Sequence, residues 1–272
     1  MVSKVALVEL KKDACRSLEQ AIELIGGVDD LNTSKRTVVT KLGVFDHRHK
    51  NHATVNVVSA IVDSFDRAPR ILLAEADNYR GTGSERLKIW KKLFNERVVP
   101  FSLSDDANTR EFKVVDEGIH FSSVLFKPNV LVSVHVLRGW EAGSALKNLL
   151  GLIPDRKKAR FHKKGLAKVL TDIYEGVGGI DLAVLDGTYA YMGMMSNRIR
   201  TNLILVGRDA TAVDAVGGTL MGLEPKKMPV VQEAVRRGLG EGDMKRIEVV
   251  GYPLEEARAK VIKLLEAQRK KG

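Results

Sequence analysis

Short apolar runs rich in β-branched residues alternate along this chain with stretches of helical period. That alternation constrains the fold more than any other feature. The runs fall at residues 5–9, 37–41, 70–75, 130–135, 181–186, 202–207 and 247–250. Several are apolar at successive positions rather than at every second one, as in Val130-Leu-Val-Ser-Val134 and Leu182-Ala-Val-Leu185. A strand that is apolar on both sides needs both faces of its sheet covered. Helical patterns occupy residues 14–25, 54–65, 84–94, 166–174, 210–221, 230–237 and 254–267. The first ends in Gly26-Gly27, a helix stop. Ser84 is the expected cap of the third, and Asp209 stands where the cap of 210–221 belongs. The order predicts an α/β fold, a mainly parallel sheet flanked by helices and doubly wound. The polar stretch Asp105-Asp-Ala-Asn-Thr-Arg110 is the expected boundary between an N-terminal lobe, 1–110, and a C-terminal lobe, 111–272. One continuous domain is the alternative. Residues 98–123 are expected to form an antiparallel or irregular insertion.

A chain of 272 residues with 44% hydrophobic and 29% charged residues can bury a sizeable core. No apolar run approaches the roughly 20 residues of a membrane span. The start, Met1-Val-Ser-Lys-Val-Ala-Leu-Val-Glu-Leu10, reads as a first strand rather than a signal peptide, so a cytoplasmic protein without a membrane partner is expected. The single cysteine, Cys15, excludes a disulfide within the chain and a cysteine-rich zinc or iron–sulfur site. A net charge of +10 favours anionic partners: nucleotides, phosphorylated metabolites, nucleic acid or acidic proteins. Aromatic residues are only 6% and do not interleave with the basic cluster at 156–164, which ranks nucleic acid second.

In open α/β sheets, ligands gather beyond the carboxyl ends of the strands. Lys41, Glu75, His135, Asp186-Gly187 and Arg208-Asp209 close the expected strands, with Asp77 just beyond. Asp186 could bind a metal, act as a base or hold a hydroxyl, and Gly187 would let a ligand approach; a turn-capping role is the alternative. Lys147 and Asn148 lie in a segment, 143–151, whose backbone amides and ammonium suit an anion, though Asn148 could equally be structural. His135 and His162 are candidate metal ligands or acid–base groups. His47, His49 and His52 form a dense local trio of the same kind. Gly81, Gly83 and Ser84 could cradle a phosphate, but Arg86 stands where a dinucleotide fingerprint would have its third glycine. Asp214, on a helix of small residues, needs a partner or a ligand. Tyr189-Ala-Tyr191 with Met192, Met194 and Met195 reads as a substrate lid or as core.

The ordered series Ala145-Leu-Lys-Asn148, Asp186-Gly187, Asp209-Ala-Thr-Ala-Val-Asp214, Met221-Gly-Leu223 and Gly238-Leu-Gly240 resembles the domain-of-unknown-function 362 family, DUF362. The resemblance covers roughly residues 124 to 252 well and the first 120 loosely. It implies functional positions at Lys147, Asn148, Asp186 and Asp214, and makes His52, in His52-Ala-Thr-Val-Asn56, the preferred histidine of its trio. Many relatives carry a ferredoxin-like iron–sulfur segment, which a chain with one cysteine cannot match. The family's lysine two residues before the strand-end histidine is replaced by Ser133, and Arg138 is the candidate for the missing charge. The expectation is an enzyme or small-ligand protein binding an anionic ligand and a divalent metal. Asp186, His135 and Lys147 would act on it. Lys147, Asn148, Gly187, Asp214, Gly81 and Gly83 would bind it. Asp186, His135, His162 and His52 would hold the metal. A nucleic-acid-binding protein, or a partner subunit that associates with a ferredoxin-like protein, is the alternative, and an oligomer is compatible with either.

Overall fold

The computed structural model describes residues 2–141, 143–192 and 198–269. Its strands are β1 (Ser3–Glu9), β2 (Val38–Leu42), β3 (Val44–Asp46), β4 (Asn51–His52), β5 (Ile71–Glu75), β6 (Val98–Ser102), β7 (Thr109–Val114), β8 (Glu117–Ser122), β9 (Val130–Gly139), β10 (Leu182–Met192), β11 (Arg198–Gly207) and β12 (Ile247–Gly251). The α-helices are α1 (Ala14–Leu24), α2 (Val55–Ser64), α3 (Gly83–Leu87), α4 (Leu166–Gly176), α5 (Ala210–Leu220), α6 (Pro229–Arg236) and α7 (Leu254–Arg269). Eight strands form one sheet in the order β12-β1-β11-β10-β9-β2-β5-β6. Neighbours run parallel except β11, which is antiparallel to both β1 and β10.

The successive apolar residues of the strands divide between two cores. Leu182, Val184, Val132 and Val134 face one side with α1 and α2; Ala183, Leu185, Leu131 and Leu205 face the other with α4, α5, α6 and α7. The doubly wound, mainly parallel arrangement follows from this, because each strand spends its apolar residues on both faces. Asp13 caps α1, Thr54 caps α2 and Asp209 caps α5, each accepting from a backbone amide of the first turn.

Two expectations change. The third helix is capped by Thr82 rather than Ser84, in a capping box with Glu85. It ends at Leu87 and continues as a 3-10 segment, Lys88–Leu93, bent at the buried Trp90. Of the stretch expected as an insertion, β6 is an edge strand of the main sheet, and only β7 and β8 form an antiparallel hairpin. Strands from both sides of residue 110 share the one sheet, with β1 between β12 and β11 and β2 between β9 and β5. Among the described residues no helix is long and apolar enough to cross a membrane.

Candidate functional site

The carboxyl ends of β2, β5 and β9 lie side by side. Lys41 pairs with Ala74 on one side and Ser133 on the other, and His135 pairs with Leu185 of β10. Beyond these ends lies a cavity of about 130 Å³, room for several waters or a small organic molecule. Its wall includes Lys41, Arg86, Arg138, Lys147 and Lys158, five cationic side chains against one carboxylate, Glu75. His135 and His162 also line it, and Phe45, Tyr79 and Trp140 stand around it.

The lone carboxylate is already committed. Glu75 Oε1 meets Lys41 Nζ at 3.0 Å and the Ala76 amide at 2.9 Å; Oε2 meets Arg86 at 3.2 Å and the Val44 amide at 3.2 Å. Arg86 also donates to the carbonyls of Val44 and Ala76. Lys41 Nζ donates further to Leu42 O and Asn148 Oδ1, both at 3.0 Å. Asn148 completes the lock: its amide nitrogen donates to Lys41 O, Ser133 Oγ and Val134 O. Asn148 therefore ties the 3-10 segment Lys147–Leu152 onto β2 and β9. Ser133, which stands where the resemblance implies a lysine, has Lys41 as its register partner on β2, so a neighbouring strand brings an ammonium to this place.

Two ammonium groups have no such partner. Lys158 is 7% exposed, and its Nζ is buried with no hydrogen-bond partner among the described residues. Burial holds its pKa down at about 7, with Glu75 pulling the other way. Lys147 rests over the Trp140 ring, 5.3 Å from its centroid, and burial with the charges of Arg138 and Lys41 brings it to about 7 as well. Arg138 donates to Asn51 Oδ1 and lies 5.7 Å from the Tyr191 ring, and burial lowers it to about 10. His135 Nδ1 must donate to Val136 O at 3.0 Å, which leaves Nε2 as the lone-pair nitrogen. Burial, then the Arg138 charge, keeps this ring well below the usual histidine range. His162 stacks on Trp140 at 6.2 Å and is lowered by burial and by Lys147.

Of the residues singled out in the sequence, His135, Lys147, Asn148 and His162 come together on this wall; Asp186, Gly187, Asp214, Gly81, Gly83 and His52 do not line it. Asp186 is 1% exposed and its oxygens are filled: Oδ2 accepts from Thr54 N (2.6 Å) and Oγ1 (2.8 Å), Oδ1 from Thr188 N (2.8 Å) and Oγ1 (2.6 Å). It staples the start of α2 to β10. Asp186→Ala is expected to cost about 3 kcal/mol of stability, because it strands buried donors. Urea denaturation measures this; a loss under about 0.5 kcal/mol would remove the staple role. Gly187 answers a close approach to β11, since a Cβ there would lie 2.6 Å from Leu203 O.

Asp214 is likewise held by the protein. Its Oδ1 accepts from the Ser144 and Ala145 amides at 2.8 Å, and Oδ2 from Leu146 at 2.9 Å. The amides expected to bind an anion in 143–151 thus bind Asp214, and Lys147 follows directly on the clamped turn. Gly143 is required here, with φ of +71° and a hypothetical Cβ 2.3 Å from Asp214 Oδ2. The Gly81–Gly83 turn is closed in the same way. The Gly83 amide donates to Asp77, Thr82 to Glu85 and Glu85 to Thr82, so carboxylates stand where a phosphate would need to sit.

The residues expected to hold a metal are divided in place: His135 and His162 line the cavity, while His52 and Asp186 do not. His52 packs edge-on against Trp90 with Nδ1 on Ala53 O, and Asp186 is saturated. Among the described residues no group of three or more histidine, cysteine, aspartate or glutamate side chains gathers to hold an ion. Of the expected lid, Met194 and Met195 lie outside the described residues, while Tyr191 is buried and donates to Lys50 O at 2.6 Å. Lys158, Arg86 and the aromatic rim were not picked out as site residues by sequence reasoning. The one available signal was Lys41, a lysine inside the otherwise uncharged strand Val38-Val-Thr-Lys-Leu42.

Fold and cavity together define an α/β protein with a cation-lined pocket at the carboxyl edge of its parallel strands. The chain belongs to the DUF362 family, a domain of unknown function whose model matches residues 38–219. The match begins at β2 and so takes in Lys41 and Glu75, within the part of the chain where the motif resemblance was loose. A comparison with curated proteins gave no match.

Proposed function

We propose that this protein binds a small anionic molecule in the cavity at the ends of β2, β5 and β9. One observation carries the reading: Lys158 lines this cavity and its buried Nζ has no hydrogen-bond partner among the described residues, while Glu75, the only carboxylate on the wall among them, is taken by Lys41 and Arg86. An unpaired buried charge is strongly unfavourable, and a bound anion removes the penalty. Lys147, partnered only by an aromatic face, supplies the second contact. Both lysines change protonation near neutrality, and His135 presents a lone pair, so the wall can also hold or move a proton on a bound anion.

The test is a thermal shift at pH 6.5 with inorganic phosphate, pyrophosphate and citrate against chloride at equal ionic strength. Saturating ligand, at about 100 times Kd, is expected to add about 2.7 kcal/mol. That corresponds to a rise of roughly 5–10 °C in a chain of this size. The rise is expected to vanish in the Lys147→Met/Lys158→Met double variant. No shift with any of the three anions would sink the proposal.

A further inference from the structure

We propose that the ligand carries its anionic group on a planar aromatic ring, the ring resting against Tyr79 and Phe45 at the mouth of the cavity. This rests on the reading of the cavity as an anion site. Tyr79 is 61% exposed, among the few large apolar side chains so placed, yet it is not loosely held. Its ring meets Phe45 edge-to-face at 6.0 Å and 70°. The Arg80 guanidinium lies 5.2 Å from the Tyr79 centroid and 5.4 Å from that of Phe45. Arg80 is itself anchored by Asp46 at 2.9 Å. The Asn78 side chain pins the turn from below, donating to Phe45 O and accepting from Arg80 N.

An aromatic ring fixed in position while still largely open to solvent is a preorganised stacking surface. Phe45, Tyr79 and Trp140 line the same cavity as Lys147 and Lys158. Cations on the wall and aromatic rings at the rim match a ligand with an anionic end and a flat apolar end. A simple inorganic anion would leave the rim unused. Stacking on one aromatic side chain changes affinity by about tenfold or more.

Isothermal titration of the full chain with inorganic phosphate and with phenyl phosphate tests this. Phenyl phosphate is expected to bind about tenfold tighter. Tyr79→Ala is expected to erase that advantage and leave phosphate affinity within about twofold, while Tyr79→Phe keeps it. Tyr79 is exposed, so the substitutions are expected to leave folding intact, which circular dichroism checks. Equal affinity for the two probes, or an advantage that survives Tyr79→Ala, overturns the ring inference and leaves the anion site standing. Failure of both probes to bind overturns the anion reading, and this inference with it.

Discussion

A Lys158→Met protein is expected to be more stable than the native chain and to bind anions roughly ten- to a hundredfold more weakly. Both effects have one cause. The Lys158 ammonium is buried with no hydrogen-bond partner among the described residues, and the charges of Glu75 and Asp77 offset only part of the burial penalty. Methionine has a similar length and no charge to desolvate, so the unliganded protein gains. The bound anion loses a charge-assisted hydrogen bond of about 1.5–3 kcal/mol. A merely structural lysine would give the opposite sign in the first measurement.

The pH dependence follows from the same group. Its folded pKa of about 7 lies below the ordinary 10.5. Between these values the unfolded chain holds a proton that the folded chain has released, so stability rises with pH across that window. Below pH 7 the burial penalty is fully present. This group's share of the rise should total at most about 5 kcal/mol, and the variant should lack that share while keeping the one from Lys147, which is also held at about 7. Anion affinity should run the other way, weakening above pH 7 by about tenfold per pH unit for each ammonium that must be recharged to bind. Urea titrations and calorimetry at pH 6, 7.5 and 9 read both trends. A flat stability profile in the native chain, or a variant of lower stability, would refute this account of Lys158.

The second large effect belongs to Asp214. Asp214→Ala strands three buried amides at 144–146 and is expected to cost about 3–5 kcal/mol. Asp214→Asn keeps the shape but not the charge, and is expected to cost less while loosening the turn that positions Lys147. Its signature is a drop in anion affinity at nearly preserved fold, with Lys158 untouched. Burial raises the Asp214 carboxyl to about 6 from 3.8, against the pull of the three amides. The folded state therefore holds the extra proton between those values, and stability falls as pH rises from about 4 to about 6. Both Asp214 variants should lose that slope. If Asp214→Asn binds phosphate as the native chain does, the clamp does not position Lys147.

The place of the site in the fold was legible before the structure. Strand-end polar residues at 41, 75 and 135 do meet at one edge, because parallel strands bring their carboxyl ends together whatever lies between them in sequence. What each polar residue does there was not legible. Asp186 and Asp214 stand out by type, and type alone does not reveal hydrogen bonds from amides far away in the chain. The Thr54–Asp186 and Ser144–Asp214 contacts span 132 and 70 residues. Lys158 stood out only as one member of the basic cluster at 156–164, because a lysine in such a cluster has the same local pattern whether it is solvated or buried.

The sequence by itself determined the alternation of strands and helices, most element limits to within a few residues, and coverage on both sheet faces. These are set by local period and by capping residues a few positions away. It also determined a net positive charge and a lone cysteine. Only the tertiary structure decided the strand order, with β1 between β11 and β12, and the antiparallel direction of β11. It alone decided which charges are paired. Lys41 and Arg86 find Glu75, and the two conspicuous aspartates find backbone amides, while the Lys158 ammonium finds no hydrogen-bond partner among the described residues. The physical reason is that pairing depends on distances of a few ångströms between groups far apart in the chain, and on water being excluded from around them.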